Sequence, residues 1–168
     1  MKTINKFLQE ANERYTIYCD LDGVLTDWEK AVRKLGFGSS ESLIERGGEG
    51  LLFGLIGKAG VKFWSQMDWM PDGKKLWNYI SQYPVKIISA PTKNPTSIRG
   101  KNIWIDIELG RDIERIIVPS KEKKKFSSPQ GILIDDRENN VTDWRLAGGI
   151  AIHHIDTDTT IKKLKVIL

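Results

Sequence analysis

The 168-residue chain has a single cysteine, Cys19. No intramolecular disulfide framework can form, and a reducing compartment fits best. Its two histidines are adjacent, His153 and His154, and no Cys-x-x-Cys pair is present, so little is available from which to build a zinc site. No apolar run reaches the roughly 18 residues of a membrane span. The opening MKTINKFLQEANERY has neither a long apolar core nor a small-residue cleavage site, so secretion is not expected either. Net charge is small: 26 Lys and Arg against 22 Asp and Glu leave +4, which does not demand nucleic acid but would attract anions if clustered. Internal repeats and low-complexity tracts are absent. What remains, with 40% apolar and 29% charged residues, is expected to be a soluble cytoplasmic protein with one core, with or without a small insertion.

Short β-branched runs recur along the chain. Tyr15–Asp20, Val85–Ser89, Arg115–Val118, Gly131–Ile134 and Gly149–Ile152 read as buried strands. Helical patterns lie at 3–13, with Ile4, Phe7, Leu8 and Ala11 on one face, and at about 73–82, 94–108, 138–147 and 158–166. Asp156 offers an N-cap to the last of these. Strands alternating with helices predict an α/β fold: a Rossmann-like, three-layer core around a parallel sheet of about five strands.

Residues 27–71 break the alternation. They hold eight of the fifteen glycines together with Trp28, Phe37, Phe53, Phe63, Trp64 and Trp69. Disordered segments are poor in aromatics, so this stretch is expected to be a small, mainly helical cap inserted after the first strand. The core is then 1–26 with 72–168.

Carboxylates sit where the strands end. Asp20-Leu-Asp22-Gly23 follows the first strand, and Asp135-Asp136 follows Gly131–Ile134. Ligands of open α/β sheets bind outside the carboxyl ends of the strands. Two carboxylates this close repel unless a cation or a shared proton compensates. If the two strands are neighbours, up to four carboxylates converge, and Mg²⁺, a hard ion that takes oxygen ligands, is the natural answer. Ser89 ends another strand and can donate to a phosphate oxygen. One of Lys121, Lys123, Lys124 and Lys125 can reach the same edge. Gly54-Leu-Ile-Gly57-Lys58 lacks the spacing of a phosphate-binding P-loop, and Ala59 stands where a hydroxyl is needed.

The ordered set DLDGVLTD at 20–27, IISAPT at 87–92, a lysine near 125 and GILIDDREN at 131–139 resembles the haloacid dehalogenase (HAD) superfamily of phosphohydrolases along the whole chain. The nearest likeness is to the 5′(3′)-deoxyribonucleotidase group and related phage or bacterial nucleotidases. The resemblance implies Asp20 as nucleophile, Asp22 as general acid/base, Ser89 and Lys125 as phosphate-binding catalytic groups, and Asp20, Asp22, Asp135 and Asp136 around Mg²⁺. Lysine spacing in that group selects Lys125, with Lys124 beside it in the substrate-binding set. Ala90, Phe63 and Trp64 complete that set, with the rings either stacking on a base or forming the cap's own core. The dehalogenase branch lacks the second Asp, so Asp22 favours phosphoryl transfer. The expectation is a Mg²⁺-dependent phosphatase of 5′-(deoxy)nucleotides, monomeric or homodimeric, acting on a small-molecule phosphate ester. A polynucleotide 3′-phosphatase and a non-catalytic nucleotide or phosphate binder are the alternatives.

Overall fold

The computed structural model describes residues 14–168, so the helix expected at 3–13 lies outside the described residues. The chain divides into two compact units: one of residues up to Leu25, Met70–Ala90 and Glu114–Leu168, the other of Thr26–Trp69 and Pro91–Ile113.

The first unit holds a five-stranded, all-parallel sheet. Its strands are β1 (Thr16–Cys19), β2 (Val85–Ser89), β3 (Arg115–Ile117), β4 (Gly131–Asp135) and β5 (Ile150–His153), in the order β3-β2-β1-β4-β5. β1 is central. Cys19 pairs with Ile134 on one side and Ile87 on the other, which puts the chain after Cys19 next to the end of β4. All five residues of β4 are buried, as a strand covered on both faces requires. Ile88, Leu133, Val141, Trp144 and Ala151 pack together beside Tyr18 and Ile116. Trp144, from the helix Glu138–Leu146, closes this cluster by donating its indole N–H to the Gly131 carbonyl at 3.1 Å. The helix Thr157–Ile167 starts where expected: an Asp156 carboxylate oxygen accepts the Thr159 N–H at 2.7 Å. It packs against the helix Gly73–Ile80.

The second unit is helical. Asp27 caps the helix Trp28–Lys34 through the Lys30 N–H at 2.9 Å, and Ser39 caps the helix Ser40–Ala59 through the Ser42 N–H at 3.1 Å. The latter bends at Gly47–Gly48, where Gly48 has φ +68°. The short helix Val61–Ser65 packs on the helix Thr96–Glu108 at Gly100. A Cβ there would meet the Val61 carbonyl at 2.7 Å and the Trp64 side chain, so glycine lets the two backbones approach. Residues 94–108, expected in the core from the strand–helix alternation, group with Thr26–Trp69 through this close packing. No described helix is long and apolar enough to cross a membrane.

Candidate active site

The parallel sheet brings Asp20, Ser89, Asp135 and Asp136 to the carboxyl edge of one unit, because each follows or ends a neighbouring strand. Beyond Cys19 the chain turns, with the Val24 and Leu25 N–H groups bonding to the Leu21 carbonyl at 3.1 and 2.8 Å. Asp20 is 5% exposed. Its Oδ1 accepts the Leu21 N–H at 2.9 Å and lies 3.1 Å from Lys123 Nζ. Among the described residues no hydrogen bond reaches Oδ2.

Asp135 is fully buried and held by four donor contacts. Lys123 Nζ lies 2.7 Å from Oδ2, the Arg137 N–H donates to Oδ1 at 2.9 Å, and Asn140 Nδ2 stands 3.0 Å from each oxygen. Asp136 is fixed differently. His153 Nε2 lies 2.8 Å from its backbone carbonyl, to which the ring N–H donates. Its carboxylate presses against Gly23, whose φ is +80° and where any Cβ would collide with Asp136 Oδ2. Gly23 therefore serves both the turn and the close approach of an acid.

Single atoms of Asp20, Asp135 and Asp136 all lie within 4.8 Å of one another. Burial, then the charges of Asp20 and Asp135, push the Asp136 carboxyl up to about 7. Burial and Asp20 likewise raise Asp135 above the usual carboxylate range, against the pull of Lys123. For Lys123 burial opposes the charge, but Asp20 and Asp135 outweigh it and hold the ammonium protonated. Cys19 is buried, and burial followed by the Asp20 charge raises its thiol, consistent with an inert filler.

These residues fit a divalent cation. Asp136 Oδ1 is buried without any hydrogen-bond partner, beside two further carboxylates, and the three carboxyl groups share one lysine. A cation would satisfy that oxygen and relieve the repulsion. The all-oxygen donor set suits a hard ion rather than zinc. Asp22, expected at the metal through its backbone carbonyl, is half-buried in the turn, and the three clustered carboxylates are those of Asp20, Asp135 and Asp136.

The lysine differs from the one expected. Lys123 is 2% exposed and contacts both Asp20 and Asp135. Lys125 is exposed and pairs with Glu122, while Lys124 is exposed and pairs with Asp143. Residues Ser120–Phe126 form a 3₁₀ helix, in which Lys123 turns inward and Lys124 and Lys125 turn out. Ser89 is fully buried at the end of β2, and Ala90 follows it, half-buried. Phe63 and Trp64 are 7% and 2% exposed and pack edge to face at 4.8 Å. They belong to the interior of the helical unit, leaving no ring face for a base. Asn140 and His153, which hold Asp135 and Asp136, carried no charge pattern that marked them in the sequence.

No family model matches the chain, and no curated protein matches it in sequence. Solved structures resemble it. A hydrolase from Streptococcus pneumoniae TIGR4 aligns with a TM-score of 0.59 at 14% identity, covering 91% of this chain and 99% of its own. A haloacid dehalogenase-like hydrolase from Burkholderia xenovorans LB400 gives 0.51 at 14% identity, covering 83% of this chain and 80% of its own. The HAD-hydrolase YfnB from Bacillus subtilis, solved bound to magnesium, gives 0.50 at 13%, covering 83% and 86%. The fold is thus the α/β, Rossmann-like fold of HAD hydrolases. At these identities the likeness speaks for the fold alone.

Proposed function

We propose that the protein is a Mg²⁺-dependent phosphatase that hydrolyses phosphate monoesters, 5′-(deoxy)nucleotides foremost, through an aspartyl phosphate on Asp20. One observation carries the reading: three carboxylates and a buried lysine converge at the carboxyl edge of the sheet, with Asp20 Oδ1 occupied by donors and Oδ2 left without one. The fold shared with HAD hydrolases agrees with it.

Asp20 Oδ2 attacks phosphorus in line with the ester oxygen. The P–O bond to the leaving alkoxide breaks, and Asp22 supplies the proton that makes it an alcohol. Asp22, now ionised, takes a proton from water. The resulting hydroxide attacks phosphorus, releasing inorganic phosphate and restoring the Asp20 carboxylate. Lys123, 3.1 Å from Asp20 Oδ1, offsets the charge gathering on the phosphoryl oxygens, and the Ser89 hydroxyl donates to one of them. Asp20, Asp135 and Asp136 would hold Mg²⁺, which screens the nucleophile from the phosphate charge. Asn140 and His153 keep Asp135 and Asp136 in place.

A phosphate-release screen with Mg²⁺ across nucleoside monophosphates, sugar phosphates and 3′-phosphorylated oligonucleotides tests the reading. Release from nucleoside 5′-monophosphates that EDTA stops is the expected result. Absence of release from every monoester would overturn it.

A further inference from the structure

A groove of about 670 Å³ opens in the sheet-bearing unit, between the 3₁₀ helix and the start of the helix Glu138–Leu146. Ser120, Lys121, Arg137, Glu138 and Thr142 line it, together with Asn140, whose amide also holds Asp135. One wall is therefore shared with the carboxylate cluster. Arg137 adjoins that cluster as well: its N–H donates to Asp135, and its charge counters the rise of the Asp136 carboxyl.

The cations of this region divide sharply. Lys123 is committed to Asp20 and Asp135, Lys124 to Asp143 and Lys125 to Glu122. Lys121 and Arg137 are exposed, and among the described residues neither forms an ion pair. Asp143 also lines the groove, but Lys124 offsets it, so Glu138 alone stands against two uncommitted cations. The lining is net positive, and hydroxyl and amide donors accompany the charges. This is the chemistry of an anion site, with room for more than a bare ion.

We propose that this groove binds a second anionic group of the substrate, so that the preferred phosphate ester is a small molecule carrying two separate anions. The inference rests on the phosphatase reading and deepens it. It accounts for selectivity arising in the sheet-bearing unit itself, where the cap aromatics expected to select the substrate are buried.

Calorimetric titration of the full-length Asp20→Asn protein with Mg²⁺ tests it without turnover. The probes are matched pairs: adenosine 3′,5′-bisphosphate against adenosine 5′-monophosphate, and fructose 1,6-bisphosphate against fructose 6-phosphate. In at least one pair the doubly anionic member should bind roughly two- to thirty-fold tighter, the span that two exposed ion pairs provide. Adding Lys121→Ala and Arg137→Gln should bring that pair to near equality, while Lys162→Ala, on the last helix, should leave the ratio alone. Equal affinity within both pairs, or a preference that survives the double change, would overturn the inference. So would affinity that keeps rising with the length of a 3′-phosphorylated oligonucleotide, because a strand would then be the occupant. If the preference appears and vanishes as described while the wild-type protein releases no phosphate, the groove assignment stands and the phosphatase reading falls.

Discussion

Lys123 Nζ lies 2.7 Å from Oδ2 of Asp135, with the lysine 2% exposed and the aspartate fully buried. Its second contact, 3.1 Å to Asp20 Oδ1, ties the end of β1 to the end of β4 through one ammonium. Removing one partner of a buried pair leaves the other charge uncompensated, at a cost of about 3–5 kcal/mol. Lys123→Met is therefore expected to lose stability on that scale in urea unfolding, and phosphate release should fall to background. Lys124→Ala and Lys125→Ala touch only exposed pairs and should stay within about threefold of wild type. If Lys125→Ala were the inactive variant, the assignment of Lys123 would be wrong.

Asp136 predicts an unusual pH response. Its carboxyl is raised from 3.8 to about 7 by burial and by Asp20 and Asp135. A raised folded-state value means that the folded protein holds the proton where the unfolded chain has released it. The stability from this group is fully present below about pH 4 and is lost as pH rises through about 7, at up to about 1.4 kcal/mol per pH unit in between. Metal-free Asp136→Asn should consequently melt at a higher temperature than metal-free wild type at pH 8. With Mg²⁺ the order should reverse, since a neutral amide oxygen holds a divalent ion more weakly than a carboxylate does. Melting curves at pH 5 and pH 8, with EDTA and with Mg²⁺, check both statements. An unchanged order on adding Mg²⁺ would count against Asp136 as a ligand.

Gly23 and Gly36 separate backbone strain from crowding. Both have positive φ, +80° and +84°, but a Cβ at Gly36 meets nothing within 4 Å whereas one at Gly23 runs into Asp136. Gly36→Ala should cost only the conformational strain, about 1–2 kcal/mol. Gly23→Ala should cost more and should also weaken Mg²⁺-dependent thermal stabilisation, because Asp136 must move. Equal effects of the two changes on the Mg²⁺ response would show that the Gly23–Asp136 contact is immaterial.

Much of this architecture was legible in the residues. The β-branched runs ending in acids marked the strands, and strand ends in a parallel sheet share one edge, so the meeting of Asp20 with Asp135 and Asp136 followed from local pattern plus topology. The lysine did not follow. Four lysines within Lys121–Lys125, broken by Glu122, read as a solvated face, and only the path of the 3₁₀ helix turns Lys123 inward. Asn140 carries no such mark, because it is uncharged and reaches Asp135 from the next helix. Phe63 and Trp64 looked equally suited to stacking or to packing. Gly100 decided it, by letting two helices close on Trp64, and nothing in the local pattern around the rings announces a partner more than thirty residues away.

The covalent step gives the most direct test. Wild-type protein mixed with a radiolabelled nucleoside 5′-monophosphate and Mg²⁺, then acid-quenched within one turnover, should carry label on the peptide that contains Asp20. That label should be released by hydroxylamine, as an acyl phosphate is, and should be absent from Asp20→Asn, which should also fail to release phosphate. Rapid phosphate release with no labelled peptide, or turnover by Asp20→Asn at the wild-type rate, would contradict the account.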